Sequence, residues 1–586
     1  MNKRRRNSTV LIDDETTDDE ITDEDHGESE GENYEISSLS ESEDDDDSDH
    51  DIFQLSTSNL RRTRKRCRID NEQKPSGGRP VSVLRGQGDN KIKWSLKPAV
   101  RRLSQTKKTL HLPGVIGEAC QAKTPIDTWS YLFSEDIFDI IVVHTNEQID
   151  RVCANMEKLL SYHNKTDIVE IKALIGLLYI SGYRKQPAVN VNELWGEEFS
   201  VTIFKATMSS HRFQFLSKCL RFDDKNTRKN HRKLDRFALI REIWDKFITN
   251  CQKYYRPYEI CTLDEQMVGF KGRCIFRMYL PSKPDRYGIK FFMLNDSKTC
   301  YMMKAVPYLG KTTQQRNEPL AHFFVRELVE PIRDSNRTVV MNNWFTSIGL
   351  FQILLNEYNL KAIGTIRKNK KAIPRSFTEK APPSTTKYCF ANNQTLLSYA
   401  PKRNKIVLIL SSNSTNTKID PKTKKPKLIL QYNQHKSGTD SFDQACKLYT
   451  VARRTRRWPL KVFYGMLNMA NVNSTILYNL NHVDEKKTRL TFMKDLSFEL
   501  IKPLLIRRHR IPQLRRNIKS AIAQLLNYET PTVNYSEVIP IPKTRCSYCH
   551  YSLGVKTTIM CPQCEKPMCK RHRCPMCIEC CNENST

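Results

Sequence analysis

The sequence predicts a multidomain α/β protein that ends in a metal-stapled module. Three observations carry this expectation: helical periodicity over residues 125–255 and again after Asp440, short β-type runs from Glu259 onward between those regions, and nine of the 19 cysteines lying between Cys546 and Cys581. At 586 residues the chain exceeds what one hydrophobic core fills.

The N-terminal region reads as a disordered tail over 1–112. Residues 11–50 hold 20 Asp or Glu and no Lys or Arg, so the formal charge of +30 leaves +50 on the remainder. A segment so acidic and so poor in apolar residues cannot offset the entropy of folding. The basic run Arg61-Arg62-Thr63-Arg64-Lys65-Arg66 follows it and suits nuclear import or a phosphate-contacting tail. Met1-Asn2-Lys3-Arg4-Arg5-Arg6 leads into acid, and no apolar run reaches the length of a membrane span. The expectation is a soluble, intracellular protein with no membrane partner. A charge of +50 on the body favours a polyanion, and nucleic acid is the commonest one.

Order is expected from about residue 125. Asp167 and Glu170 are spaced as a capping box, and Ile168, Ile171, Leu174, Ile175 and Leu178 follow at helical intervals, predicting an amphipathic helix. Similar periodicity recurs at Phe213, Phe215, Leu216 and Leu220 and from Phe237 to Phe247. Strands are predicted at Ile260–Leu263, Ile289–Leu294, Thr338–Met341, Ala362–Ile366, Ile406–Leu410 and Leu428–Gln431. The polar, Pro-containing stretches Ala381–Thr386 and Ser411–Lys425 read as loops of an insertion. No internal repeat is present.

The C-terminal cysteines fall into pairs: Cys546-x2-Cys549, Cys561-x2-Cys564, Cys569-x2-His572 and Cys577-x2-Cys580. A pair separated by two residues aims both side chains at one tetrahedral Zn²⁺, and four pairs make two structural sites. Pairs shared crosswise give Cys546, Cys549, Cys569 and His572 to one ion and Cys561, Cys564, Cys577 and Cys580 to the other. A sequential sharing is the alternative, and Cys574 and Cys581 are left over. So short a segment has almost no apolar core, so metal supplies its folding free energy.

Asp264 lies in the apolar run Cys261-Thr262-Leu263-Asp264, where the chain is expected to leave the sheet, and Asp440 and Asp443 lie three apart on one helix face. Carboxylates on two strands and a helix are what paired Mg²⁺ ions require for phosphodiester chemistry, whereas surface carboxylates without a metal are the alternative.

Several collinear strings resemble the piggyBac transposase family. They are Thr262-Leu263-Asp264-Glu265-Gln266, Gly272-Arg273-Cys274-Ile275-Phe276-Arg277-Met278-Tyr279, Lys283-Pro284, Tyr287-Gly288-Ile289-Lys290, Asn343-Trp344-Phe345-Thr346-Ser347, Gly364-Thr365-Ile366-Arg367, Tyr432-Asn433-Gln434 and Arg457-Trp458-Pro459. The resemblance runs from about residue 125 to the end. It implies an RNase H-like catalytic domain with an insertion, embedded in a helical dimerisation and DNA-binding domain, followed by a C-terminal two-zinc cross-brace finger that recognises transposon ends. The implied boundaries are helical segments over 113–258 and 450–530, RNase H-like segments over 259–366 and 427–449, an insertion over 367–426, a linker over 531–544 and the cysteine-rich module over 545–581. It also implies a Mg²⁺-dependent Asp triad that joins DNA at TTAA sites, with Asp264 at the first position, Asp440 at the third and Asp443 beside it. At the second position this chain has Asn342 where the family has Asp. Asn342 can offer a carbonyl oxygen to Mg²⁺ but removes one negative charge, which weakens metal binding. Asp334 is too far upstream to compensate, and Asp296 is expected in a structural turn.

Basic residues suited to phosphate are Lys368, Arg453, Arg454, Arg456, Arg457, Arg507, Arg508 and Arg510. Trp458 suits either stacking on an unpaired base or anchoring the next apolar helix. The leading expectation is a transposable-element-derived nuclear protein that binds double-stranded DNA as a homodimer, with cleavage lost or severely reduced. The alternatives are an active cut-and-paste transposase and a zinc-finger chromatin or ubiquitin-pathway adaptor.

Overall fold

The computed structural model describes residues 83–86, 92–98, 112–196, 201–281, 283–310, 318–412, 417–528, 539–561 and 564–572. The acidic tract, the basic run at 61–66 and Cys574, Cys577, Cys580 and Cys581 lie outside the described residues. In chain order the strands are β1 (Val83–Arg85), β2 (Lys93–Ser95), β3 (Gly114–Val115), β4 (Tyr255–Arg256), β5 (Ile260–Gly269), β6 (Met278–Tyr279), β7 (Tyr287–Asp296) and β8 (Met302–Pro307). They continue as β9 (Thr338–Met341), β10 (Lys361–Thr365), β11 (Thr386–Ala391), β12 (Gln394–Lys402), β13 (Lys405–Ser411), β14 (Ile539–Arg545) and β15 (Lys556–Met560).

The centre of the molecule is an antiparallel meander with two parallel strands added to its first member. β5 pairs antiparallel with β7, which pairs antiparallel with β8. The other edge of β5 runs parallel to β9, from Ile260↔Thr338 to Leu263↔Met341, and β9 runs parallel to β10. β9 is buried at all four residues. Such continuous apolar runs suit a parallel strand covered on both faces.

The segment 367–426, expected as an insertion, does not stand apart from this sheet. β13 pairs with β10 and leads through β12, β11 and β2 to β1, giving eleven strands. β1 and β2 fall in the region expected to be a disordered tail, and the correction has a physical anchor. Trp94 is fully buried and donates its indole N–H to the Ala372 carbonyl at 2.9 Å.

Two further expectations change. Leu428–Gln431 is part of a helix, Lys427–His435, and not a strand. Short apolar runs fit either period. Here Pro426 sits at the N-cap, and Leu428 and Ile429, with Tyr432 beside them, pack against Val340, Ile363 and Ile409 of the sheet. The helix Ile168–Tyr183 exists, but Ile171 is buried and so is every residue from Ala173 through Gly182, so it is a core helix and not an amphipathic one. Asp167 caps it by accepting the Glu170 N–H at 2.9 Å. The Glu170 carboxylate does not close the capping box; it accepts from Arg212 Nε at 2.8 Å and Nη2 at 2.6 Å.

The two helical regions, far apart in sequence, pack into one body. A Cβ on Gly176 would meet Ile501 at 2.5 Å and the Ser497 carbonyl at 2.9 Å, so glycine permits the close approach of Ile168–Tyr183 to the helix Arg489–His509. Tyr179 donates to the Leu467 carbonyl at 2.8 Å and accepts the Trp129 indole N–H at 2.9 Å. Asn473, buried in the helix Trp458–Asn481, accepts the Met302 N–H at 3.0 Å and donates to its carbonyl at 2.8 Å. This pair of hydrogen bonds satisfies the Met302 backbone at the edge of β8 and docks the sheet on the helices. Among the described residues no helix is long and apolar enough to cross a membrane.

Candidate active site and candidate metal centre

The parallel register of β5 and β9 creates the first site. Leu263 faces Met341, so Asn342, just past the end of β9, lies beside Asp264. The chain does not leave the sheet at Asp264 as expected, because β5 continues to Gly269 with Asp264 paired to Met293 of β7. The helix Gly438–Leu448 lies across β5. A Cβ on Gly438 would meet Thr262 Oγ1 at 2.6 Å, and Thr439 Oγ1 donates to Asn295 Oδ1 at 3.0 Å. That docking puts Asp440, in the first turn, into the same cavity of about 210 Å³ as Asp264, Asn342, Tyr432 and Lys436. Three of the four expected catalytic positions therefore converge.

Asp443 does not join them. It accepts from Gln266 Nε2 at 2.9 Å and pairs with Lys447 at 3.0 Å, lining a second cavity with Asp285. Asp296 is buried and holds the β7–β8 turn, accepting from the Lys298 and Thr299 N–H groups at 2.7 and 3.2 Å. That matches its expected structural role.

The electrostatics of the first cavity are unusual. Burial pushes the Asp264 carboxyl well above the usual carboxylate range, and the negative charges of Glu265 and Asp440 push the same way. Asn342 Nδ2 donates to Asp264 Oδ1 at 2.9 Å and lies 3.5 Å from Glu265 Oε2. Its Oδ1 accepts the Trp344 N–H at 2.9 Å. The backbone donor fixes the amide orientation, since a flipped amide would set N–H against N–H. The carbonyl oxygen expected to serve Mg²⁺ is thus taken by the chain, and the face turned to Asp264 is a donor. Among the described residues, no set of three or more His, Cys, Asp or Glu ligand atoms converges in this cavity. The residues as placed do not fit a pair of Mg²⁺ ions.

Sequence reasoning missed Glu265, Tyr432, Lys436 and Lys283. Glu265 adjoins a named carboxylate, and Lys283 comes within 3.9 Å of Asp440. Tyr432 lies in one of the family-like strings, but a strand assigned to the preceding residues hid its place on a helix.

The second site is in the C-terminal module. Cys546, Cys549, Cys569 and His572 bring one ligand atom each within 4.8 Å of one another. Cys549 Sγ and Cys569 Sγ are 3.7 Å apart, and His572 Nδ1 lies 3.7, 3.6 and 3.4 Å from the thiols of Cys546, Cys549 and Cys569. A tetrahedral ion with ligand bonds of about 2.0–2.3 Å spaces its ligands by about 3.4–3.8 Å. These are the four residues that crosswise sharing groups for the first ion, and their ligand atoms lie close enough to hold one. The β14–β15 pairing carries Cys546 just past β14, and the Cys569 N–H donates to Cys546 Sγ at 3.3 Å. Burial raises the Cys546 thiol, but hydrogen bonds from the backbone of Tyr548, Cys569 and Cys549 and from His572 outweigh it, bringing the thiol to about 6. Burial and the neighbouring thiols push Cys549 to about 11. Cys561 and Cys564 are described in part, but their expected co-ligands Cys577 and Cys580 lie outside the described residues.

The basic candidates separate into two groups. Arg453 donates to the Val189 carbonyl at 2.7 Å, Arg457 to the carbonyls of Ser217, Lys218 and Leu220, and Arg508 to the Lys205 carbonyl at 3.2 Å. Arg507 pairs with Asp167 at 2.6 Å. Trp458 takes the core alternative, stacked on Phe237 at 5.6 Å and edge-on to Phe276 at 5.0 Å. Lys368, Arg454, Arg456 and Arg510 are exposed.

Comparison with known proteins accords with this geometry. The family model described as Transposase IS4 matches residues 124–475. A solved piggyBac transposase synaptic complex with hairpin DNA is 36% identical, covering 80% of this chain and 100% of that one with a TM-score of 0.73. PiggyBac transposable element-derived protein 3 of Homo sapiens is 24% identical over 472 residues, 76% of this chain and 74% of that protein. The Chimeric ERCC6-PGBD3 protein of Homo sapiens matches equally, and the chain spans 42% of its length. With the model spanning more than half of the chain, and a solved relative at 36% identity matched along its whole length, this protein belongs to the piggyBac-type transposase family.

Proposed function

We propose that this protein is a transposase-derived nuclear DNA-binding protein in which phosphodiester cleavage is lost or severely reduced. The observation that carries the reading is the Asn342 amide, which donates to Asp264 where a metal-binding site needs a third carboxylate. The order β8-β7-β5-β9-β10, with β5, β9 and β10 parallel, supports an RNase H-like reading of the body. The piggyBac complex bound to hairpin DNA supports DNA as the partner. The spacing around Cys546, Cys549, Cys569 and His572 supports Zn²⁺ as a structural ion. A second Zn²⁺ held by Cys561, Cys564, Cys577 and Cys580, a homodimer and a nuclear address belong to the same proposal.

The test incubates supercoiled, end-bearing DNA with the purified chain and Mg²⁺ or Mn²⁺. No nicking is expected from the unaltered protein, and a gain is expected from Asn342→Asp. Robust metal-dependent nicking by the unaltered protein would favour the active-transposase reading, which the convergence of Asp264 and Asp440 keeps in view.

A further inference from the structure

We infer that the hairpin from Lys271 to Tyr287 is a stacking platform for an unpaired nucleic-acid strand beside the acid cavity. The inference rests on the DNA-binding reading above. The segment carries five cations, Lys271, Arg273, Arg277, Lys283 and Arg286, against one acid, Asp285. Tyr279 and Tyr287 pair across β6 and β7 and are 51% and 44% exposed, with ring centroids 4.8 Å apart. The Arg277 guanidinium lies 5.4 Å from the Tyr287 ring and is pinned by donating to the Lys271 and Gly272 carbonyls at 2.7 and 2.9 Å. Guanidinium and two rings, the rings tilted by 41° to each other, thus form a preorganised aromatic cluster open to solvent. The hairpin is held from beneath by Phe276, 2% exposed, packed on Trp458.

Among the described residues, neither the core nor the acid cavity uses the outward faces of these rings. Exposed aromatic faces amid cations are what unpaired bases require: the rings accept the bases and the cations the phosphates. A duplex hides its base faces and would use the cations alone. A second copy of this chain would bring five cations against five, so self-association through this face is disfavoured. Lys283, 3.9 Å from Asp440, sets the platform at the rim of the cavity.

The experiment measures fluorescence anisotropy of a labelled twelve-nucleotide oligothymidylate and of a duplex of equal length with the full chain, without added divalent metal. Replacing both tyrosines by alanine is expected to weaken single-strand binding by about tenfold or more, leaving duplex binding within about twofold. Tyr279→Phe with Tyr287→Phe retains single-strand binding. Lys271→Gln with Arg273→Gln weakens both and lowers the salt dependence. As a check independent of folding, nitration of Tyr279 and Tyr287 in the unaltered protein is suppressed by the oligothymidylate and not by the duplex. Equal loss for both DNAs, unchanged single-strand binding, unprotected tyrosines, or a shift in oligomeric state caused by the alanines overturns the platform. Absence of any DNA binding overturns the DNA-binding reading with it, whereas tyrosine-independent DNA binding overturns the platform alone.

Discussion

Asn342 turns its amide N–H to Asp264 at 2.9 Å and its carbonyl oxygen to the Trp344 N–H at 2.9 Å. One neutral side chain thereby satisfies a carboxyl that burial and two neighbouring acids hold above its ordinary range. Asn342→Asp replaces that donor with a further negative charge. The variant is expected to lose about 1–3 kcal/mol in metal-free buffer and to recover it as Mg²⁺ or Mn²⁺ is added, since ligand that binds only the native state stabilises it. The unaltered protein is expected to melt at the same temperature in both buffers. Thermal denaturation with and without metal checks this, and a metal-independent Asn342→Asp would show that the cavity cannot be restored by one residue.

Asp264→Asn is expected to stabilise the protein at neutral pH by about 1–2 kcal/mol. The sign follows from linkage. The folded-state value is raised, so the native form binds more protons than the unfolded one, and stability increases as pH falls through the folded value toward about 3.9. Denaturant melts between pH 5 and 8 should slope in the unaltered protein and flatten in the variant.

Arg212 is 8% exposed and donates to both oxygens of Glu170 and to the carbonyls of Tyr162, Asn164 and Lys165. Arg212→Met leaves the half-buried Glu170 carboxylate with only the Thr166 hydroxyl as donor and takes the guanidinium from three carbonyls, a loss of about 3–5 kcal/mol. Urea denaturation reads this directly, and Arg212→Lys should recover only part, because an ammonium lacks the guanidinium fork.

The four converging ligands of the C-terminal module predict a local dependence on metal. Cys549→Ser or prolonged chelation should unfold residues from about 545 onward while the main thermal transition stays within a few degrees. Protease accessibility after Arg545 and a zinc-release assay give the two readouts.

Exposed and buried arginines should separate in a DNA-binding assay. Arg454→Gln with Arg456→Gln and Lys368→Gln is expected to lower duplex affinity, and to lower the salt slope by about one for each phosphate left unneutralised, with no change in melting. Arg453→Gln and Arg508→Gln are expected to lower the melting temperature first, because each serves carbonyls inside the fold.

Most of the elements, and the chemistry they carry, are legible in short stretches of the chain. Thr338–Met341 is a strand with the bounds its apolar run predicts, Ile289–Leu294 lies inside β7, and one Cys-x2-Cys and one Cys-x2-His pair contain the four side chains that the fold brings together. These are local properties: a period, a turn or a spacing is written within a few residues. What remained depended on residues brought together from distant parts of the chain. The helix at Lys427–His435 was ambiguous because three consecutive apolar residues fit both periods until the sheet offered Val340 and Ile363 as a packing face. The helix Ile168–Tyr183 became a core helix because Arg489–His509, more than three hundred residues later, covers the side that solvent would otherwise take. Arg453 and Arg454 are identical in sequence terms, yet one is bound to a carbonyl 264 residues away and the other is exposed. Likewise, the charge absent at position 342 is visible in the sequence, but the direction of the amide is not. It follows from a backbone N–H two residues on and a carboxylate 78 residues back, a pairing that the parallel register of β5 and β9 creates.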